Sequence, residues 1–272
     1  MRSWFMGVSL AAALIALPPP QTAWAEAEGT RGPWQLVRND KGVTVLRRTV
    51  AGSQLREFQG TGVIEAPLSH VMAVLNDSEH RREWMRESRE QRTLQQVDLT
   101  TAILYNRLGA PWPVADRDCV IRATTTFDIA HRMVRIDLTS TTHPDAPPVS
   151  GVVRMLSLQA HWHLWPVQGG KWTRAEYQVH ANPGGSLPNW LANLSSKKIP
   201  FETISSLQRQ IKVRQYPAYQ AKLEALPEYQ ALLAASSAAG ADAGQPVAPL
   251  PPPESPTDPS PPSADAPAAP RP

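Results

Sequence analysis

The sequence predicts an α+β domain in which a curved antiparallel β-sheet wraps around a long C-terminal α-helix. Three observations carry this. From Gly42 to Ala181 most of the chain alternates apolar and polar residues with a period of two, as half-buried strands do. From Asn182 to Val213 the spacing becomes helical, with Leu187, Leu191, Leu194, Phe201, Ile204, Leu207 and Ile211 on one stripe. Between the two regimes stands Asn182-Pro183-Gly184-Gly185, a turn. Ser186 then caps the helix and Pro188 sits in its first turn, where a missing N–H costs little. A long sheet followed by one amphipathic helix either packs solid or encloses a cavity.

The ends of the 272-residue chain differ from its middle. Met1 to Ala25 has one charge, Arg2, an apolar run from Trp4 to Leu17 and a closing Ala23-Trp24-Ala25. That reads as a secretory signal peptide, too short in its apolar part to span a bilayer. Gly240 to Pro272 is rich in Pro, Ala and Ser, and composition predicts a disordered, semi-stiff tail. About 200 residues remain, enough for one domain with a real core. Setting aside Arg2, Arg271, Asp242, Glu254, Asp258 and Asp265 leaves 25 basic and 20 acidic residues, a charge near +5. This suits an anionic lipid surface but is no nucleic-acid signature. With Cys119 alone, the domain has no internal disulfide and relies on its core.

Taken in order, Gly32 to Val37 leads into a first element. Gly42–Val50 and Gln54–Glu65 read as strands joined by a turn at Ala51-Gly52-Ser53. Pro67 opens a short helix, Leu68–Leu75. Asp77 to Arg92 is dense in charge around Trp84 and Met85 and reads as a solvated face. Strands resume at Arg92–Val97 and Thr100–Arg107. Pro111-Trp112-Pro113 then forces a loop, on which Trp112 is either a buried plug or an exposed lid. Asp116–Phe127 turns Cys119, Ile121, Ala123 and Phe127 inward, and His131–Thr142 does the same with Val134, Ile136 and Leu138. One long strand then runs through Val152, Leu156, Leu158, Ala160, Trp162 and Leu164. Lys171–Ala181 completes the sheet after a Gln168-Gly169-Gly170 turn. Two Pro-Glu/Ala-Tyr-Gln segments, at Pro217 and Pro227, start a helical extension outside the sheet.

The chain has no Gly-x-Ser-x-Gly, no His-Glu-x-x-His and no phosphate-binding glycine loop. His161 and His163 share a strand face, which permits metal binding, but no third ligand is near in sequence, so no metal is expected. Cys119 reads as a small buried hydrophobe. Arg154 shares the parity of Val152 and Leu156. It either reaches water at a frayed strand start or forms a polar point in an apolar cavity.

Several of these segments together resemble a known family. Ala110-Pro111-Trp112-Pro113-Val114-Ala115-Asp116-Arg117-Asp118 is similar to the PWP-x-x-x-RD signature of START domains, the lipid-transfer module of the helix-grip fold. Gly151-Val152-Val153-Arg154 resembles that family's Gly-x-x-Arg strand start. Asn182-Pro183-Gly184-Gly185-Ser186-Leu187-Pro188 resembles its Asp-Pro-x-Gly-x-Leu-Pro helix entry, with Asn for Asp. Trp84 after a charged turn also fits, and the resemblance covers roughly Trp34 to Val213.

The resemblance implies one lipid held between sheet and last helix, exchanged at a membrane surface without catalysis or cofactor. It divides the chain into a signal peptide (1–25), a lipid-binding domain (26–214), a helical extension (215–239) and a tail (240–272). Leu104, Ile121, Ala123, Arg154, Leu156, Trp190, Leu194, Phe201 and Ile204 are the expected cavity residues. Trp112 is the expected lid, and Pro200 a helix hinge that removes the hydrogen bond to the Ser196 carbonyl. Lys197, Lys198, Arg81, Arg82 and Arg86 are available to anionic headgroups. The acidic–basic cavity pair of some sterol carriers would fall near Leu104 or Tyr105 and on Ala123, and is missing. A monomer outside the cytoplasm, periplasmic or secreted, completes the expectation. Two other classes stay open: a helix-grip cyclase or hydrolase acting on apolar rings, and a ligand-sensing module that meets a partner through its tail.

Overall fold

The period-two segments become ten strands of one sheet in the computed structural model, which describes residues 31–85, 87–185 and 198–239. The expected leader, the Pro-rich tail, Arg86 and residues 186–197, with Ser186, Pro188, Trp190, Leu194 and Lys197, lie outside the described residues. The strands are β1 Gln35–Asp40, β2 Val43–Arg48, β3 Glu57–Ile64, β4 Ser88–Gln96, β5 Thr101–Leu108, β6 Asp116–Asp128, β7 Met133–Thr141, β8 Val152–Arg154, β9 Ser157–Val167 and β10 Trp172–Asn182. Their order is β1-β2-β3-β10-β9-β7-β6-β5-β4, antiparallel throughout, with β8 added in parallel beside β6. Register shifts interrupt β1 at Leu36/Arg38 and β4 at Ser88/Glu90 and Thr93/Gln95.

Among the described residues the helices are α1 Leu68–Asn76, α2 Arg81–Trp84, α3 Ile199–Gln210, α4 Pro217–Glu224 and α5 Pro227–Ala239. Helix α3 lies on β2, β3 and β10. Its buried stripe is Pro200, Ile204 and Leu207, continued by Ile211 just past its end. Two glycines of β3 set how closely it approaches. A Cβ on Gly60 would stand 2.7 Å from Pro200 Cβ, and one on Gly62 would stand 2.8 Å from Ile204 Cγ2. Both distances are below contact, and Gly60 also faces the Pro200 carbonyl oxygen at 3.1 Å, which cannot rotate away. Gly60→Ala therefore costs about 1–3 kcal/mol by overpacking, read as a lower urea midpoint at unchanged slope.

The long strand expected from Val152 to Leu164 is broken. Residues Val152–Arg154 pair with β6, and the chain then crosses to β10, with the amide of Met155 donating to the Asp118 carbonyl and that of Leu156 to the Asn182 carbonyl. From Leu158 onward the expected parity holds, and Leu158, Ala160, Trp162 and Leu164 are all buried. The extension after residue 214 is no appendage: Leu223, Tyr229 and Leu232 enter the main core cluster with Val71, Trp162 and Leu207. The Tyr229 hydroxyl accepts a hydrogen bond from the Ser69 amide at 3.1 Å, and its ring meets Phe127 edge-on.

Candidate functional site

The inner faces of β5, β6, β7, β9 and β10, closed by α1, α2, α3 and α4, leave a cavity of about 220 Å³. Strand alternation supplies most of its wall: Leu104 and Leu108 from β5, Cys119, Ile121 and Ala123 from β6, Ile136 and Leu138 from β7, Trp162 from β9, Tyr177 and Val179 from β10. Helix α1 adds Met72 and Leu75, and α4 adds Tyr219. The wall is mostly apolar with a few polar atoms, the usual composition of a small-molecule site.

Two of those polar atoms have no hydrogen-bond partner among the described residues. Arg81, at the start of α2, is 8% exposed. One of its Nη atoms donates to the Leu75 carbonyl, and the guanidinium lies over the Trp84 ring at 4.8 Å. Its Nε is buried and has no hydrogen-bond partner among the described residues. Asp77 adds its charge from a distance, but that carboxylate is engaged by the Tyr216 hydroxyl at 2.6 Å and by His80 at 2.8 Å. Burial pulls the Arg81 pKa down to about 10, so the group remains a cation at neutral pH. Asn106, from β5, lines the same cavity with its Oδ1 buried and unbonded. An orphaned buried polar atom costs about 1–3 kcal/mol, which a ligand carrying the complementary group removes.

The other ionisable groups of the wall do not titrate near neutrality. Burial raises the Cys119 thiol to about 12 and the Tyr177 hydroxyl to about 12, and it raises Tyr219 as well.

The sequence-expected site residues fall into three groups. Leu104, Ile121 and Ala123 line the cavity. Arg154, Leu156, Phe201 and Ile204 are corrected. Arg154 turns to the buried Asp118, 1% exposed, with Nε 2.7 Å from Oδ1 and Nη2 3.0 Å from Oδ2, and bonds the carbonyls of Ala146 and Pro147. The strand break at Met155 leaves Leu156 73% exposed and puts Met155 on the cavity wall instead. Ile204 is fully buried in the core, Phe201 packs beneath the Arg38 guanidinium at 3.4 Å, and α3 meets the cavity through Ile199 and Thr203. Trp190 and Leu194 belong to the undescribed stretch.

The gate residues also resolve. Trp112 is 91% exposed, so it is no plug. Pro200 is buried in the first turn of α3, and its expected hinge partner Ser196 is outside the described residues. Arg122 is exposed and Ala123 faces inward, so no basic residue replaces the sterol-carrier pair at that point. Arg81, expected among the headgroup-facing surface cations, is buried on the cavity wall, and Asn106 was not singled out at all. Arg81, Trp84 and Met85 stand at helical spacings of three and four, a face that was hidden by the surrounding charges.

Residues 21–212 match the family described as START domain. This chain belongs to the START domain family. An uncharacterized protein of Pseudomonas aeruginosa is 31% identical to it over 175 residues, 64% of this chain and 85% of that one. The phosphatidylcholine transfer protein of Mus musculus is 28% identical over 174 residues, 62% of this chain and 78% of that protein. Among solved structures, the STAR-related lipid transfer protein of Xanthomonas axonopodis superposes with a TM-score of 0.61 at 33% identity, covering 66% of this chain and 99% of that one. Asp118 of the Arg117-Asp118 signature and Arg154 thus meet in an ion pair that ties β8 to β6 in this chain.

Proposed function

We propose that this START domain binds one amphipathic lipid bearing an acidic head, such as a phosphate, and carries it between membranes without chemical turnover. The observation that carries the reading is the buried Arg81 cation with an unpartnered Nε on an apolar cavity wall. Asn106 Oδ1 offers an acceptor to a hydroxyl or ammonium of the same head. The name of the mouse relative, a phosphatidylcholine transfer protein, supports a phospholipid. The absence of a neutral-range acid or base among the described wall residues supports the non-catalytic reading.

The cavity of about 220 Å³ is smaller than the range of roughly 300–1000 Å³ typical of small-molecule pockets, so a lipid enters only when the wall parts. Exposed Trp112, Leu156 and Val149 supply apolar contacts for a membrane at which that happens. The composition of Met1–Ala25 supports work outside the cytoplasm. Native purification followed by lipid mass spectrometry tests the reading. We expect about one phospholipid per chain, and uptake of a fluorescent phosphatidylglycerol from vesicles in preference to a sterol. Recovery of no lipid together with no uptake sinks the proposal.

A further inference from the structure

On the opposite face of the sheet from the cavity, β9 and β10 bring together three groups that the sequence separates. His161 and His163 alternate with Trp162, which faces the cavity, so both imidazoles point outward. The β9–β10 register places Glu176 directly across from His163. The sequence alone offered two imidazoles and no third ligand. Strand pairing supplies the third.

We propose that His161, His163 and Glu176 form a binding site for one divalent transition-metal ion on the outer face of the sheet. Their ligand atoms all lie within 4.8 Å of one another. The two imidazole centroids are 4.7 Å apart with the rings tilted by 31°, and His163 Nδ1 is 3.2 Å from Glu176 Oε1. Tetrahedral bonds of about 2.0–2.1 Å bring neighbouring ligand atoms to about 3.3 Å, a contraction that side-chain torsions supply. Two imidazoles and one carboxylate suit zinc, nickel or copper, whereas calcium and magnesium prefer oxygen alone. A fourth position stays open for water.

The surroundings are those of a supported site. The side chain of Gln59, on β3, hydrogen-bonds Glu176. Asp137, on β7, lies across from His161 in the β7–β9 register and is placed to orient that imidazole. The nearby Arg135 cation is offset by the same Asp137 at 2.9 Å. The side chains of His163 and Glu176 are 21% and 12% exposed, open enough for an ion and sheltered enough to hold it. A bound ion would tie the two central strands together side chain to side chain. The site does not depend on the lipid reading, because it shares no residue with the cavity wall.

The test is calorimetric titration of Zn²⁺ and Ni²⁺ into the untagged full chain, with a chromophoric chelator competing and Ca²⁺ and Mg²⁺ as comparisons. One equivalent of Zn²⁺ or Ni²⁺ is expected to bind and to raise the melting temperature. His161→Gln, His163→Gln and Glu176→Gln are each expected to weaken binding about tenfold or more. His131→Gln, at an exposed histidine paired only locally with Asp128, leaves it unchanged. If Glu176→Gln does not fold, the more exposed His163→Gln answers alone, with far-UV circular dichroism as the check on folding. A wild-type chain without saturable 1:1 binding, or a folded His163→Gln variant of unchanged affinity, overturns the proposal.

Discussion

Arg81→Met is expected to weaken binding of an acidic lipid by about 10- to 150-fold while leaving the domain as stable as before or more so. The first part follows from losing a charge-assisted hydrogen bond in a dry site, worth about 1.5–3 kcal/mol. The second follows from removing a buried cation. Arg81 is 8% exposed and its Nε has no partner among the described residues, so the empty protein carries a desolvation cost that the Leu75 carbonyl and the Trp84 ring offset only in part. Methionine is close in length and fills the space against Trp84 and Met85. Displacement of a fluorescent phospholipid gives the affinity, and urea unfolding of the lipid-free chain gives the stability. The opposite signs are the signature. A role confined to packing would lower both together, and a solvated arginine would change neither.

Arg154→Ala should lower stability by about 3–5 kcal/mol, because it strands the Asp118 carboxylate in the interior. Among the described residues that carboxylate keeps only the Tyr105 hydroxyl, at 3.1 Å. The reverse truncation, Asp118→Ala, is milder. Arg154 is 28% exposed, and retains the carbonyls of Ala146 and Pro147 and access to water. Arg154→Lys recovers part of the loss, since an ammonium cannot bond both carboxylate oxygens in the fork geometry. A double-mutant cycle by urea denaturation measures the coupling, and equal costs for the two single truncations would refute the asymmetry. Lipid affinity of the folded fraction should stay constant, as neither residue lines the cavity.

Strands such as β9 were legible because alternate residues, Leu158, Ala160, Trp162 and Leu164, are buried, which fixes a period of two along the sequence. The helix α3 was legible for the same reason at its own period. What sequence could not see was a change of partner. Leu156 carries the right residue type at the right parity, but the chain leaves β6 for β10 at Met155, and parity does not survive such a crossing. Phe201 and Ile204 lie on the stripe of α3, yet the stripe is used against β3, and the cavity receives the less apolar flank at Ile199 and Thr203. Arg81 was obscured by its own chemistry. Charge-dense segments are mostly solvated, and nothing local distinguishes the one arginine that α2 folds beneath the protein surface.

The sheet is open, and its two ends carry a further consequence. Among the described residues β1 and β4 close the strand order, so each presents an unpaired row of backbone donors and acceptors. Such rows recruit strands from other molecules. Here both carry a break in register, and β4 reads Ser-Arg-Glu-Gln-Arg-Thr-Leu-Gln-Gln, with Leu94 its one large apolar residue. A bulged, polar rim gives an incoming strand neither a flat ladder nor an oily face. On the proposed lipid-exchange reading, the walls would part at a membrane, where stray strand pairing would be most damaging. On that reading the irregular edges of β1 and β4 would keep the opening from becoming a route to aggregation.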